Sequence, residues 1–367
     1  MREFEYKLKK EVEVLTQKEP EQTQGKIFWK SPSNIAIVKY WGKYPGQIPA
    51  NASLSLTLSE TVTKTSIEFN YSNNRERPEI EFELEGEENA DFLARITRYL
   101  KEIEDYLPWL RYTDLKIKSE NTFPHSSGIA SSASSMSALA AGLCNIEDIL
   151  FKHSDPENFH RKVSFLARLG SGSASRSVFG KMSVWGQTSE WSESSDEYAI
   201  PVTLIHNNFI GMKDSILIIE SGKKELPSSL GHRLMKTNHY AKMRFEAAEE
   251  NMQKLSTILK NGDMYQFIDI LENEALSLHA MMMTSSPGYI LMKPNSLEAI
   301  QRIRNYRNRT GISIGFTLDA GANVHVLYPK AVKDGVRYFI DLELKPLCEN
   351  GRIIHDEMGE GVVPFEG

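Results

Sequence analysis

Four short stretches of this sequence gather the side chains that could do chemistry. Asp319 stands where the alternating run Ile312-Ser-Ile-Gly-Phe-Thr-Leu318 breaks into Ala-Gly-Ala-Asn323. A carboxylate there is either a turn-forming residue or a general base. Arg176 is the one charged side chain in Gly170-Ser-Gly-Ser-Ala-Ser-Arg-Ser-Val178. A guanidinium among hydroxyls can grip a carboxylate or phosphate through two parallel hydrogen bonds, with Ser171, Ser173 and Ser177 as further donors. The alternative is a loop with a solvent-facing arginine. Lys39, Tyr40 and Lys43 surround Trp41-Gly42 at the end of a strand-like run, Ile35 to Val38. They form an anion grip, or else an ordinary solvated strand end. Lastly, Asn121-Thr-Phe-Pro-His-Ser-Ser-Gly-Ile-Ala-Ser-Ser-Ala-Ser134 is a polar loop running into a segment of Ala, Ser, Met and Leu. Strand, loop with Gly128, then helix presents free N–H groups and the positive end of a helix dipole to a phosphate. Ser131 and Ser132 could cap that helix or reach a phosphate or its metal ion. A Ser-capped helix packed closely on a sheet is the alternative.

The elements that must position these groups follow from periodicity. Asn51 to Ser59 alternates as a strand, and Thr63 to Asn70 with Ile80 to Leu84 reads as a hairpin. Leu115 to Ser119 is a strand feeding the Ser/Gly loop. Helical spacing marks residues 91–106, 156–169, 234–259, 264–282 and 295–308, and Val336 to Leu342 is a further helix. Ser183 to Gly186, Ser215 to Glu220 and His325 to Tyr328 are strands. Residues 1–25, charged and Gln-rich, read as an extension outside the core. A boundary near Ile200 to Phe209 divides the rest into lobes at 26–206 and 207–367. Lys223 and Lys224 read as solvated turn charges, and His279 with Met281 to Met283 as structural residues on an apolar face.

The 367 residues are enough for a large core and two lobes. A net charge of -6 argues against a general nucleic-acid binder but leaves room for a local polyanion pocket. The only two cysteines, Cys144 and Cys348, supply neither a disulfide framework nor a thiolate metal cluster. No apolar run is long enough to span a bilayer, and the charged start, Met1-Arg-Glu-Phe-Glu, lacks a secretory core. No membrane partner and a cytoplasmic location are therefore expected.

Taken together, the four stretches resemble the GHMP small-molecule kinases, and within them the mevalonate diphosphate decarboxylases. Pro124 to Ser134 looks like the superfamily's ATP phosphate loop, and Ser33-Asn-Ile-Ala-Ile-Val-Lys-Tyr-Trp-Gly-Lys43 like the decarboxylase signature. Arg168 to Ser177 is similar to the substrate loop and Phe316 to Asn323 to the catalytic turn. The resemblance implies an α+β, two-lobed GHMP-kinase-like fold with its active site in the cleft between the lobes. It implies ATP and Mg²⁺ as cofactors, mevalonate 5-diphosphate as substrate, isopentenyl diphosphate as product and a homodimer. Asp319, Arg176 and Lys39 would be catalytic: Asp319 on the 3-hydroxyl, Arg176 on the C1 carboxylate, and Lys39 with Tyr40 and Lys43 on the diphosphate. Asn34, Ser173, Ser228 and Ser229 would also bind substrate, the last two as part of a cleft-closing motif. Ser126, Ser127, Gly128, Ile129, Ala130, Ser131, Ser132 and Lys223 would hold the nucleotide, with Ser131 on the metal. Activity on the 5-monophosphate, a bare 3-kinase and a catalytically silent ATP-binding relative are the alternatives. Where relatives often carry a second glycine after Gly180, this chain has Lys181.

Overall fold

The computed structural model describes residues 2–74, 77–123, 131–153, 155–222 and 228–367, with Ser228 and Ser229 described by their backbone alone. In chain order come helix α1 (Glu3–Leu15), strands β1 (Gln24–Val38), β2 (Lys43–Tyr44), β3 (Ile48–Pro49), β4 (Ser53–Tyr71), β5 (Ile80–Leu84) and β6 (Glu87–Glu88). Helix α2 (Ala90–Ile103), strand β7 (Thr113–Asn121), helices α3 (Ser131–Phe151) and α4 (Phe159–Gly170), and strands β8 (Met182–Trp185), β9 (Ala199–Pro201) and β10 (Lys213–Leu217) follow. The chain continues through helices α5 (Ser228–Leu234), α6 (Ala241–Asn261), α7 (Met264–Met283) and α8 (Pro294–Thr310). It ends with strands β11 (Gly315–Thr317) and β12 (Val324–Tyr328), helix α9 (Lys333–Phe339), and strands β13 (Ile353–Glu357) and β14 (Val363–Pro364).

The eight-stranded sheet runs β14-β1-β4-β7-β5-β6, with β8 joined to β4 and β9 to β8. A four-stranded sheet runs β11-β12-β10-β13. Helices and sheets mix in an α+β architecture. In β4, Leu54, Leu56 and Leu58 are fully buried, as a strand's two-residue period requires of a core-facing row. Helix α2 forms because Ile96, Tyr99, Leu100 and Ile103 share a buried face, and the Asn89 side chain caps it by accepting the Phe92 N–H at 3.1 Å. Helix α3 packs closely on β1 and β4, and small residues make this possible. A Cβ on Gly142 would stand 2.7 Å from Ile67 and 2.9 Å from Ile27, while Ser134 bonds Thr63 at 2.7 Å.

Several expectations are corrected. Residues 1–25 are not wholly outside the core: α1 buries Phe4, Leu8 and Leu15 in the first sheet's core, and its Phe4 and Glu5 N–H groups donate to Glu197 at 3.1 and 3.0 Å. The charges masked an amphipathic helix. The two strands read at 51–59 and 63–70 are one, β4. That strand and β5 do not pair as a hairpin, since β7 lies between them, antiparallel to β4 and parallel to β5. The helix expected over 234–259 is broken between Leu234 and Ala241. There the Asn238 side chain donates to Met281 O at 3.1 Å and accepts the Tyr240 N–H at 2.8 Å, so local side-chain bonding replaces the helix. The strand expected over 312–318 is confined to β11.

The tail does not stay with the second sheet. β14 pairs with β1, and Asp356 of β13 accepts the N–H groups of Ser59, Glu60 and Thr61 at 2.8, 2.9 and 2.8 Å. That carboxylate ties β13 to β4. Lys181 adopts the left-handed region at φ 60°, which gives a physical reason for glycine at such a position.

Candidate active site

The ends of the two sheets bring together residues far apart in sequence. Lys39 follows the last residue of β1, is 1% exposed, and donates from Nζ to Asp319 Oδ1 at 2.9 Å. Asp319 lies in the turn between β11 and β12. Asn323 closes that turn by accepting the Ile219 and Glu220 N–H groups at 2.8 and 3.0 Å. Burial lowers the Lys39 pKa from its ordinary value, and the nearby Asp319 carboxylate partly restores it.

Arg176 sits in a short 3-10 helix, Gly172–Val178, and is 2% exposed. Its Nη1 donates to Ser53 Oγ at 2.6 Å, and its guanidinium lies 5.8 Å from the Trp185 ring centre. Burial pulls its pKa down to about 10, opposed first by Asp319 and then by Tyr40. Gly172 is required by close approach, since a Cβ there would stand 2.8 Å from both Trp185 and the Tyr40 hydroxyl. The Tyr40 ring meets Trp185 edge-on at 4.7 Å and lies 4.4 Å from the His232 ring. Burial raises the Tyr40 phenol above its ordinary value. Asn34 reaches the same loop, donating to Ser177 Oγ at 2.8 Å and to the Ser173 carbonyl at 3.2 Å.

Gly42 has φ +99°, and its N–H donates to His232 Nδ1 at 3.0 Å. His232, on α5, therefore fastens that helix to the Tyr40-Trp41-Gly42 turn. Lys43 is half-buried and donates to Gln47 Oε1 at 2.6 Å. Burial lowers its pKa, with Arg233 and Arg95 adding repulsion. Ser131 and Ser132 begin α3, and Ser132 Oγ lies 3.2 Å from Ser171 Oγ, linking the helix start to the Arg176 loop. A cavity of about 100 Å³ lined by Phe82, Leu84, Phe92, Arg95, Ser131 and Ser132 adjoins them.

Thus Lys39, Asp319, Arg176, Tyr40, Asn34 and Ser173 belong to one constellation, while Lys43 stands at its edge. Ser126, Ser127, Gly128, Ile129, Ala130 and Lys223 lie outside the described residues, as do the side chains of Ser228 and Ser229. Sequence reasoning missed Glu274, which accepts the Lys39 N–H at 2.8 Å, and the use of His279, whose Nε2 lies 3.1 Å from Asp319 O. A glutamate inside an apolar helix was the available signal.

Among the described residues, Asn34 Oδ1, Tyr40 OH, Trp41 Nε1, Arg176 Nε and Thr317 Oγ1 are buried without a hydrogen-bond partner. Buried polar atoms are normally paired, so such a concentration marks a place for a polar ligand. No group of three or more metal-binding side chains occurs among the described residues.

Comparison with known proteins gives the family. Residues 31–198 match the diphosphomevalonate decarboxylase-like N-terminal domain, and residues 215–350 the mevalonate 5-diphosphate decarboxylase C-terminal domain. The diphosphomevalonate decarboxylase of Debaryomyces hansenii is 30% identical over 311 residues, covering 81% of this chain and 78% of its own. That of Gibberella zeae is 30% identical over 319 residues, covering 83% and 81%. The solved mevalonate diphosphate decarboxylase of Staphylococcus aureus superposes with a TM-score of 0.80 at 28% identity, over 94% of this chain and 98% of its own. A complex of the protein MDDEF with MVAPP, AMPPCP and magnesium superposes with a TM-score of 0.79 at 27% identity, over 94% and 100%. The chain belongs to the diphosphomevalonate decarboxylase family.

Proposed function

We propose that this chain converts mevalonate 5-diphosphate and ATP into isopentenyl diphosphate, ADP, phosphate and CO2, a step of isoprenoid synthesis. The observation that carries the assignment of residues is the Lys39–Asp319 ion pair at 2.9 Å with Arg176 buried nearby. Asp319 accepts the proton of the 3-hydroxyl as that oxygen attacks the γ-phosphorus, and the bond to the β–γ bridging oxygen breaks to release ADP. Lys39 orients the carboxylate for this. The C3–O bond of the phosphorylated intermediate then breaks, with phosphate taking the electron pair. Electrons of the C1–C2 bond form the C2–C3 double bond, and C1 leaves as CO2. Arg176 holds the C1 carboxylate, its unpartnered Nε and its Nη groups matching the two oxygens. Tyr40, Lys43, Asn34 and Ser173 bind the substrate's diphosphate end, with Ser228 and Ser229 closing over it.

Ser131 and Ser132, with Ser126 to Ala130 and Lys223, hold the nucleotide phosphates at the start of α3. Bound Mg²⁺, with Ser131 as protein ligand, neutralises phosphate charge. The site occupies a cleft between lobes at 26–206 and 207–367, with β14 returning to the first. Enclosure matters because water would capture a positively charged C3. Among the described residues no helix is long and apolar enough to cross a membrane. A homodimer in the cytoplasm completes the reading, and two buried free thiols, Cys144 and Cys348, accord with a reducing compartment.

Incubation with Mg·ATP and each mevalonate phosphate tests it. ADP and CO2 together from the diphosphate are expected. A preference for the 5-monophosphate would reassign the substrate, ADP alone would leave a 3-kinase, and no ADP would leave a silent relative.

A further inference from the structure

One helix touches both partners of the Lys39–Asp319 pair through their backbones. On α7, Glu274 is 1% exposed and accepts the Lys39 N–H at Oε2, 2.8 Å away. Five residues further along, His279 is 2% exposed, and its Nε2 lies 3.1 Å from the Asp319 carbonyl. A carbonyl only accepts, so His279 donates from Nε2 and holds that tautomer. Burial lowers its pKa to about 4, keeping the ring neutral at working pH. The carboxylate of Glu274 is itself fixed by α6, where Arg244 bonds Oε2 and Asn251 Nδ2 donates to Oε1 at 2.7 Å. Strand β11, which leads into Asp319, lies against the same helix. A Cβ on Gly315 would stand 3.0 Å from Ile268 and 3.4 Å from Leu271.

These contacts close a ring. It runs from the Lys39 backbone to Glu274, along α7 to His279, to the Asp319 carbonyl, and back from the Asp319 carboxylate to Lys39 Nζ. Lys39 and Asp319 are 280 positions apart and end strands of different sheets. Nothing in either strand alone sets their separation. We propose that α7 sets the spacing and orientation of the Lys39–Asp319 pair, with Glu274 and His279 as positioning residues for phosphoryl transfer. This rests on the catalytic reading of Asp319 given above. Neither side chain needs to touch substrate. Their effect is on where the carboxylate stands when the 3-hydroxyl attacks, and misplacement by about 1 Å can cost about 100-fold in rate.

The test compares His279→Leu, which removes the donor at similar bulk, with His279→Gln, which keeps an N–H. Steady-state kinetics with Mg·ATP and mevalonate 5-diphosphate are measured beside the thermal midpoint. His279→Leu should lower kcat about 10- to 100-fold while both KM values stay within about threefold, and His279→Gln should recover most of kcat. Unchanged kcat in the Leu variant, or a Gln variant no better than it, overturns the proposal. If His279→Leu yields no folded protein, Asn251→Ala decides, because Asn251 is half-buried and contributes one hydrogen bond to Glu274. A severalfold fall in its kcat at constant KM supports positioning, and wild-type kcat overturns it. Wild-type protein that forms neither ADP nor CO2 overturns the assigned reaction and this proposal with it, an outcome distinct from an active wild type with indifferent variants.

Discussion

Lowering the pH from 7 to 5 should remove about 2 kcal/mol of stability through His232 alone. His232 is 8% exposed, accepts the Gly42 N–H at 3.0 Å, and lies between Tyr40 and Trp41 with ring centres 4.4 and 4.7 Å away. Burial, aided by Lys43, lowers its pKa from the ordinary 6.5 to about 3. Between those values the unfolded chain binds a proton that the folded one refuses. Stability therefore falls as pH drops below about 6.5, and the loss ends near 3, where the folded ring also protonates. Integrating from pH 7 to pH 5 gives the figure of about 2 kcal/mol. Urea unfolding of wild type and His232→Gln at both pH values measures it. Glutamine can still accept the Gly42 N–H but does not titrate, so the advantage of wild type should shrink by about 2 kcal/mol at pH 5. The comparison cancels other groups, including His279 and Asp148, whose carboxyl burial raises to about 7 and whose contribution has the opposite sign. A wild-type advantage equal at the two pH values would refute a buried neutral His232.

Three further outcomes follow from the same geometry. Asp319→Asn should lower kcat at least about 1,000-fold while substrate affinity, measured by calorimetry, changes less than about threefold; near-normal turnover removes Asp319 from the chemistry. Lys43→Met should raise the KM for mevalonate 5-diphosphate about 10- to 100-fold with kcat largely kept, as expected for loss of one charge-assisted phosphate contact. Deleting residues 2–22 should lower the unfolding free energy by about 2–5 kcal/mol, because α1 buries Phe4, Leu8 and Leu15; equal denaturant midpoints would make α1 a dispensable appendage.

Much of the candidate site was legible because its groups sit at strand ends and small-residue turns, where local sequence announces a change of direction. Lys39 after Val38, Arg176 in its Gly/Ser loop and Asp319 after Leu318 are of this kind. Their convergence was not legible in spacing, since the Lys39–Asp319 contact joins different sheets. The resemblance alone supplied it. Pairing order was also out of reach: β7 inserts between β4 and β5 because long-range partners, not alternation, choose the neighbour. The role of Glu274 was out of reach for a related reason. A charge inside an apolar helix is visible in the sequence, but its partner on the next helix, here Arg244, is not.

The assigned reaction is tested most directly with mevalonate 5-diphosphate labelled at C1, supplied with Mg·ATP, measuring labelled CO2 against ADP. One CO2 for each ADP, with isopentenyl diphosphate as the organic product, is the expected result. ADP without labelled gas, or neither product from folded protein, would contradict it.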